Sequence, residues 1–167
     1  LGSKMDSAII PGLQGGPHNH ITAAIARMGF EALQPNFKKY QTQIIKNAQA
    51  LAKALALQGF ALVSGGTDNH LMLIDCKNTG MTGMEAQNAL EAAGITANRN
   101  SIAGDQSPFY PTGVRCGTPA VTTRGMKERD MVRIAEWIGR ILLKKEKPAK
   151  VGKEVALFAA KFPLYVP

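Results

Sequence analysis

A small α+β domain (α/β in the broad sense) is what this chain predicts, and three observations carry the prediction. Apolar residues recur at spacings of three and four from Phe37 to Leu55 and again from Met131 to Ile141, the period of amphipathic helices. Short runs from Phe60 to Ser64, from His70 to Asp75 and around Val114 have the length and make-up of strands. The coarse order is helix, helix, strand, strand, helix, strand, strand, helix, helix. A small, mostly antiparallel sheet with helices on one face buries such a set. The 167 residues suffice for one domain with a genuine core. Residues 1–35 stand apart as the edge of a neighbouring domain, and residues 36–167 form the domain itself.

Residues Leu1 to Ile10 read as a connection and a short strand, Ala8-Ile9-Ile10. Pro11-Gly12-Leu13-Gln14-Gly15-Gly16-Pro17 follows. Gly15 and Gly16 can take backbone angles closed to other residues, and Pro17 suits the first turn of a helix. Such a turn is either a plain loop or a set of free amides for an anion such as phosphate. His18-Asn19-His20 opens a helix whose apolar positions are Ile21, Ala24, Ile25, Met28 and Leu33. Two histidines two residues apart face different ways on a helix, which favours capping, core contact or ring stacking over a metal pair. Pro35 starts a longer helix with Phe37, Tyr40, Ile44, Ala48, Leu51 and Leu55 on one side, and Gly59 ends it.

Phe60–Ser64 and His70–Asp75 pair as a hairpin across Gly65-Gly66-Thr67-Asp68-Asn69, with His70 as a structural histidine. Thr82 and Glu85 have capping-box spacing, and the helix they open ends near Gly94. Ile95–Ala97 is a third strand, followed by Asn98-Arg99-Asn100-Ser101. The long irregular stretch with Gly104, Asp105, Pro108, Phe109, Tyr110 and Pro111 has the length of a functional or mobile loop, and its two aromatics are candidates to cover a flat ligand. Thr122 or Thr123 caps the next helix, striped by Met131, Ile134, Ile138 and Ile141 and flanked by Trp137. Lys144–Lys150 is a solvated linker. Val151, Val155, Phe158 and Phe162 make a last helix that Pro163 stops.

The formal charge of +8 could favour anionic ligands, but no basic stripe with interleaved aromatics marks a nucleic-acid surface. No apolar run approaches the roughly 20 residues that span a bilayer. No signal-peptide pattern opens the residues given, and a start at Leu1 suggests a processed product or a piece of something longer. Cys76 and Cys116 lack metal-type spacing and fit buried thiols in a reducing compartment.

Thr112-Gly113-Val114-Arg115-Cys116-Gly117-Thr118-Pro119-Ala120 is the stretch around which the rest is organised. In a strand, Val114 and Cys116 share one face and Arg115 points to the other. Gly113 and Gly117 leave room for a ligand to approach the backbone. An arginine so placed grips a carboxylate by two parallel hydrogen bonds, serves a structural ion pair or simply lies in water.

Five segments in order resemble the serine hydroxymethyltransferase family: Pro11-Gly-Leu-Gln-Gly-Gly-Pro17, Leu62-Val-Ser-Gly-Gly-Thr-Asp-Asn-His-Leu71, Thr96-Ala-Asn-Arg-Asn100, Ser107-Pro-Phe109 and Gly113-Val-Arg-Cys-Gly-Thr-Pro-Ala120. The likeness covers nearly the whole chain and includes the ending Phe162-Pro-Leu-Tyr165. It implies the end of the large domain and the small C-terminal domain of a fold-type I enzyme. The implied reaction converts serine and tetrahydrofolate reversibly to glycine and 5,10-methylenetetrahydrofolate, with pyridoxal 5'-phosphate as cofactor. By resemblance, Arg115 binds the serine or glycine carboxylate. Gly15 and Gly16 give amides to the cofactor phosphate across a dimer interface. Asn100 contacts the pterin, and Ser107, Pro108 and Phe109 line the folate site.

The full-length protein is expected as a homodimer or homotetramer in the cytoplasm, with the mitochondrion as the alternative. Neither nucleic acid nor membrane is an expected partner. The family's Schiff-base lysine, in a Thr-rich His-Lys segment, has no counterpart among these residues, nor has the aspartate that pairs with the pyridine nitrogen. The chain alone is therefore expected to be inactive and to bind the cofactor weakly. Two other readings stay open. One is a stand-alone, non-catalytic module that binds folate or docks on an enzyme. The other is an aminotransferase or decarboxylase of the same fold type, against which the Ser-Gly-Gly-Thr-Asp-Asn-His run stands.

Overall fold

A computed structural model describes residues 1–164; Tyr165 of the terminal motif lies outside the described residues. The chain forms two compact units, Leu1–Lys38 and Lys39–Pro167.

The first unit is helical. α1 (Gly2–Ser7) runs into a wide turn over Ala8–Leu13. The strand expected at Ala8–Ile10 is absent. Pro11 has no amide to donate, Ile10 alone is extended, and Gln14 N closes back on Ile9 O at 2.7 Å. α2 (Asn19–Ala32) starts from the carbonyl of His18, which accepts from the amides of Ile21 and Thr22. Pro17 thus precedes the cap and lies outside the first turn that its residue type favours. His18 and His20 are exposed, their rings in an edge contact at 5.9 Å, so neither contributes to a core or a side-chain cap. Ile21, Ile25 and Met28 lie on one exposed side of α2.

The second unit is built on a four-stranded antiparallel sheet of order β1-β2-β4-β3. The strands are β1 (Ala61–Leu62), β2 (Leu71–Asp75), β3 (Asn98–Asn100) and β4 (Gly113–Gly117). Met72 pairs with Cys116 and Ile74 with Val114, and all four are buried. α3 (Pro35–Leu57), α4 (Gly83–Glu91) and α6 (Glu128–Leu142) cover that face with Leu51, Leu55, Leu90, Met131 and Ile138. The apolar period of residues 44–55 is the buried stripe of α3, while Phe37 remains 40% exposed.

Three boundaries differ from expectation. The first strand shrinks to two residues, because a tight turn takes over at Val63 and Ser64 is left-handed (φ +62°). The hairpin with β2 forms, but across a longer loop. The third strand sits at Asn98–Asn100, beyond the expected Ile95–Ala97; Ala97 belongs to the core of the preceding connection. Thr122 and Thr123 do not cap the next helix. They lie inside a short one, α5 (Pro119–Thr123), and α6 is capped at Lys127, whose amide donates to the carboxylate of Asp130 at 2.8 Å. The box at Thr82 is as expected: Glu85 N donates to Thr82 Oγ1, and Thr82 N donates to the Glu85 carboxylate.

The lysine-rich segment is more than a linker. α7 (Pro148–Ala159) begins within it, and Lys145 Nζ donates to Thr79 O at 2.6 Å. Arg140 grips Glu146 and Glu154 with bonds of 2.7–3.0 Å. Trp137 donates its indole N–H to Glu154 and meets Phe158 edge-on. α7 ends at Ala159, short of Phe162. Arg124 holds that end through the carbonyls of Ala159 and Phe162, each at 2.7 Å. Buried Asn47 bridges α3 to the segment leading into α6, donating to Thr122 Oγ1 (2.8 Å) and Met126 O (2.9 Å).

Candidate functional site

The sheet face opposite the helices is open. Strand alternation puts Leu71, Leu73 and Asp75 of β2 on it, with Arg115 of β4 and Asn98 and Asn100 of β3. Arg115 sits directly between Leu73 and Asn98 in the register, and Asn100 is its diagonal neighbour, about 7–8 Å away by sheet geometry. Because β4 is hydrogen-bonded on both sides, the base of the arginine is fixed, while its side chain is exposed. An exposed guanidinium carries five donors in a rigid fork suited to a carboxylate. Asn98 and Asn100 add amides, and the half-exposed Leu73 gives the floor an apolar spot.

Two glycines of β4 have distinct reasons. A side chain on Gly113 would run into Ile102 Cγ2 and lie 2.7 Å from Asn100 O. On Gly117 it would lie 3.1 Å from His70 O, which accepts from Thr118 N. Both pressures come from the protein's own atoms, the Ile102 side chain and neighbouring backbone carbonyls, whereas the sequence suggests room for a ligand. His70 contributes to the structure through this carbonyl, and its side chain is exposed.

The long loop 101–112 joins β3 to β4 and so leaves and re-enters the sheet at the Asn100–Gly113 pair. Tyr110 N donates to Ser107 O and Phe109 N to Ser107 Oγ, which makes a turn of Ser107–Tyr110. Pro108 is exposed, and Phe109 and Tyr110 are 82% and 76% exposed. Asn100 holds its side chain against the loop, donating to Ser101 O at 2.9 Å. In the sequence Asp105 is merely one residue of the irregular stretch. In the structure its carboxylate accepts from the amides of Ile102 and Thr112, both at 3.0 Å, and from the Thr112 hydroxyl. The Thr112 hydroxyl, then the two amides, hold that carboxyl below the usual carboxylate range. No sequence signal short of a partner seven residues away singles it out.

Arg115, Asn100 and Ser107–Phe109 thus belong to one face and its adjoining loop. Gly15 and Gly16 lie in the first unit. Between Gln14 and Ile21, the described backbone bonds use neither glycine's amide as a donor. Gly16 has φ +152°, an angle side-chain-bearing residues rarely adopt, and a Cβ on Gly15 would meet nothing within 4 Å. Two free amides on unencumbered glycines suit a phosphate oxygen, so these residues fit the group that the resemblance assigns to them.

An arginine fixed on a central strand thus stands beside two asparagine amides and a loop with exposed aromatics, on an open sheet face of a small α+β unit. Comparison with known proteins narrows this. The family model for serine hydroxymethyltransferase matches residues 1–138. A serine hydroxymethyltransferase of Methanospirillum hungatei is 49% identical over 98% of this chain, which covers 40% of that relative. The chain belongs to the serine hydroxymethyltransferase family. It spans about two fifths of the length of the curated relative it matches.

Proposed function

We propose that the full-length protein interconverts serine and glycine, passing the one-carbon unit to tetrahydrofolate to give 5,10-methylenetetrahydrofolate. In this reading residues 1–35 end the large domain of a fold-type I enzyme and residues 36–167 form its small domain. The protein acts as a homodimer or homotetramer in the cytoplasm. What supports the reading is the family membership and the grip that Arg115 offers on the open sheet face.

Each residue has a physical task. Arg115 takes the amino-acid carboxylate and thereby fixes the orientation of the bond to be broken; it moves no proton. Asn100, able both to donate and to accept, meets the pterin edge. Ser107, Pro108 and Phe109 line the folate site, with Phe109 free to lie on a flat ring. Gly15 and Gly16 would hold the phosphate of pyridoxal 5'-phosphate, which supplies an electron sink when bound. Residues 1–167 alone are inactive, because they hold no lysine in the setting that the cofactor needs.

The test is Arg115→Ala and Arg115→Lys in the full-length protein. Removing a two-pronged, charged grip on the carboxylate lowers kcat/KM for serine about a thousandfold, with a smaller fall for lysine, which keeps the charge without the fork. The KM for tetrahydrofolate stays near its starting value. A fall in serine kcat/KM of less than about tenfold would sink the assignment.

A further inference from the structure

The loop that carries Ser107, Pro108 and Phe109 is closed at its base by one carboxylate. Twelve residues, 101–112, separate Asn100 from Gly113, which pair directly in the sheet. Loops of this length without regular structure are costly to order. Here the Asp105 side chain reaches both ends. One oxygen accepts from Ile102 N just after β3 and from Thr112 N just before β4, each at 3.0 Å; the other accepts from the Thr112 hydroxyl.

These bonds shorten the free segment to residues 106–111. Its far end is also tied: Pro111 is buried, and its carbonyl accepts from Gly83 N at 2.8 Å. Thr112 O in turn accepts from Cys76 N at 2.9 Å. On the near side Lys77 Nζ donates to Ala103 O at 3.4 Å. Among the described residues, the Ser107–Tyr110 turn with its two exposed aromatics is the part of the loop with no hydrogen bond from outside it.

We propose that Asp105 is a positioning residue for the folate co-substrate: it presents the Ser107–Phe109 turn at the edge of the arginine face without touching substrate itself. The inference rests on the folate assignment made above and adds to it the residue that sets the turn in place. Its three bonds all go to loop ends that also anchor strands, so losing them frees the turn while β3 and β4 keep their pairing. Tetrahydrofolate then bears the ordering entropy of the turn on binding, and serine does not.

The experiment uses the full-length protein with three variants, Asp105→Asn, Asp105→Ala and Phe109→Ala. For each, the KM for tetrahydrofolate in serine cleavage is measured beside the KM and kcat for folate-free cleavage of another 3-hydroxy amino acid. Asp105→Asn keeps size and one acceptor oxygen, and so separates the charge-assisted bonds from mere bulk. The expected result is a rise of about tenfold in the tetrahydrofolate KM for Asp105→Ala, with a smaller rise for Asp105→Asn. Folate-free cleavage changes by less than about twofold, which a general loss of folding could not produce. Unchanged tetrahydrofolate KM in Asp105→Ala, with Phe109→Ala raised, overturns the role of Asp105 and leaves the folate assignment standing. Unchanged KM in all three overturns the folate assignment, and this inference with it. Equal losses in both reactions make Asp105 a general structural residue and overturn the positioning role.

Discussion

Asn47 offers the sharpest test of how the second unit holds together. It is fully buried, and its amide donates to Met126 O and Thr122 Oγ1 while its carbonyl accepts from Gln43 Nε2 at 3.0 Å. In Asn47→Ala the Thr122 hydroxyl keeps its bond to Thr118 O, but Met126 O loses this donor and a small void opens. One stranded carbonyl, the missing bonds and the void together cost about 3 kcal/mol. Trp137 is the chain's one tryptophan and is buried in the same unit, so its fluorescence follows urea unfolding directly. At a slope of about 2 kcal/mol per molar, the midpoint falls by about 1.5 M.

Asn47→Asp gives the sign of the effect. The new carboxylate faces the Met126 carbonyl with no proton to donate, so burial and repulsion raise its folded pKa above the unfolded one. The variant is therefore least stable at neutral pH. The penalty shrinks as pH falls through the folded pKa and vanishes below the unfolded one. A midpoint shift under about 0.5 M for Asn47→Ala, or an Asn47→Asp variant no weaker at neutral than at acid pH, would refute the bridging role.

Two further outcomes follow from the electrostatics. Arg140 first and Trp137 second hold the Glu154 carboxyl at about 2, and Arg140 with Lys150 holds Glu146 at about 2. Both folded values lie below the ordinary value of 4.5, so the stability they confer is complete above that pH and is lost as pH falls towards 2. The protection of α7 amides, taken against the intrinsic exchange rate at each pH, should fall in that window and, in Glu154→Gln, at neutral pH as well; protection that does not change with acid refutes the link. Burial pushes the Cys76 thiol to about 11 and the Cys116 thiol to about 12. Neither should react with a disulfide reagent at pH 8 until urea unfolds the unit, and prompt reaction of both in the folded state contradicts their burial.

What the sequence makes legible is local chemistry. Thr82 and Glu85 announce their helix because both partners lie within one turn. Val114, Arg115 and Cys116 announce a strand with one buried face because alternation needs no distant information. Sequence and structure part where distant residues decide. Ile9 and Ile10 look like a strand, but no strand among the described residues pairs with them, and Pro11 bends the segment into a turn. Asn98-Arg99-Asn100 has no apolar signature, yet pairing with β4 makes it the strand in place of the more apolar Ile95–Ala97. Thr122 looks like a cap because it precedes a helical stripe; its hydroxyl is engaged instead with Thr118 O and Asn47. Arg115 can be read from its setting, whereas Asp105 cannot, since its partners are met only after the loop has closed.

Both rims of the sheet are short: β1 contributes two residues and β3 three. A rim this brief exposes few unpaired backbone groups, so another chain has little to add a strand to. Exposed apolar side chains stand on both units: Ile21, Ile25 and Met28 share one side of α2 in the first, while Leu57, Phe109, Tyr110 and Leu157 are spread over separate elements of the second. Self-association of residues 1–167 in isolation would therefore proceed through side chains on α2 and be reversed by mild detergent, with no gain in β structure. Polar substitutions on that helix then raise the solubility of residues 1–167 without touching the arginine face or its loop.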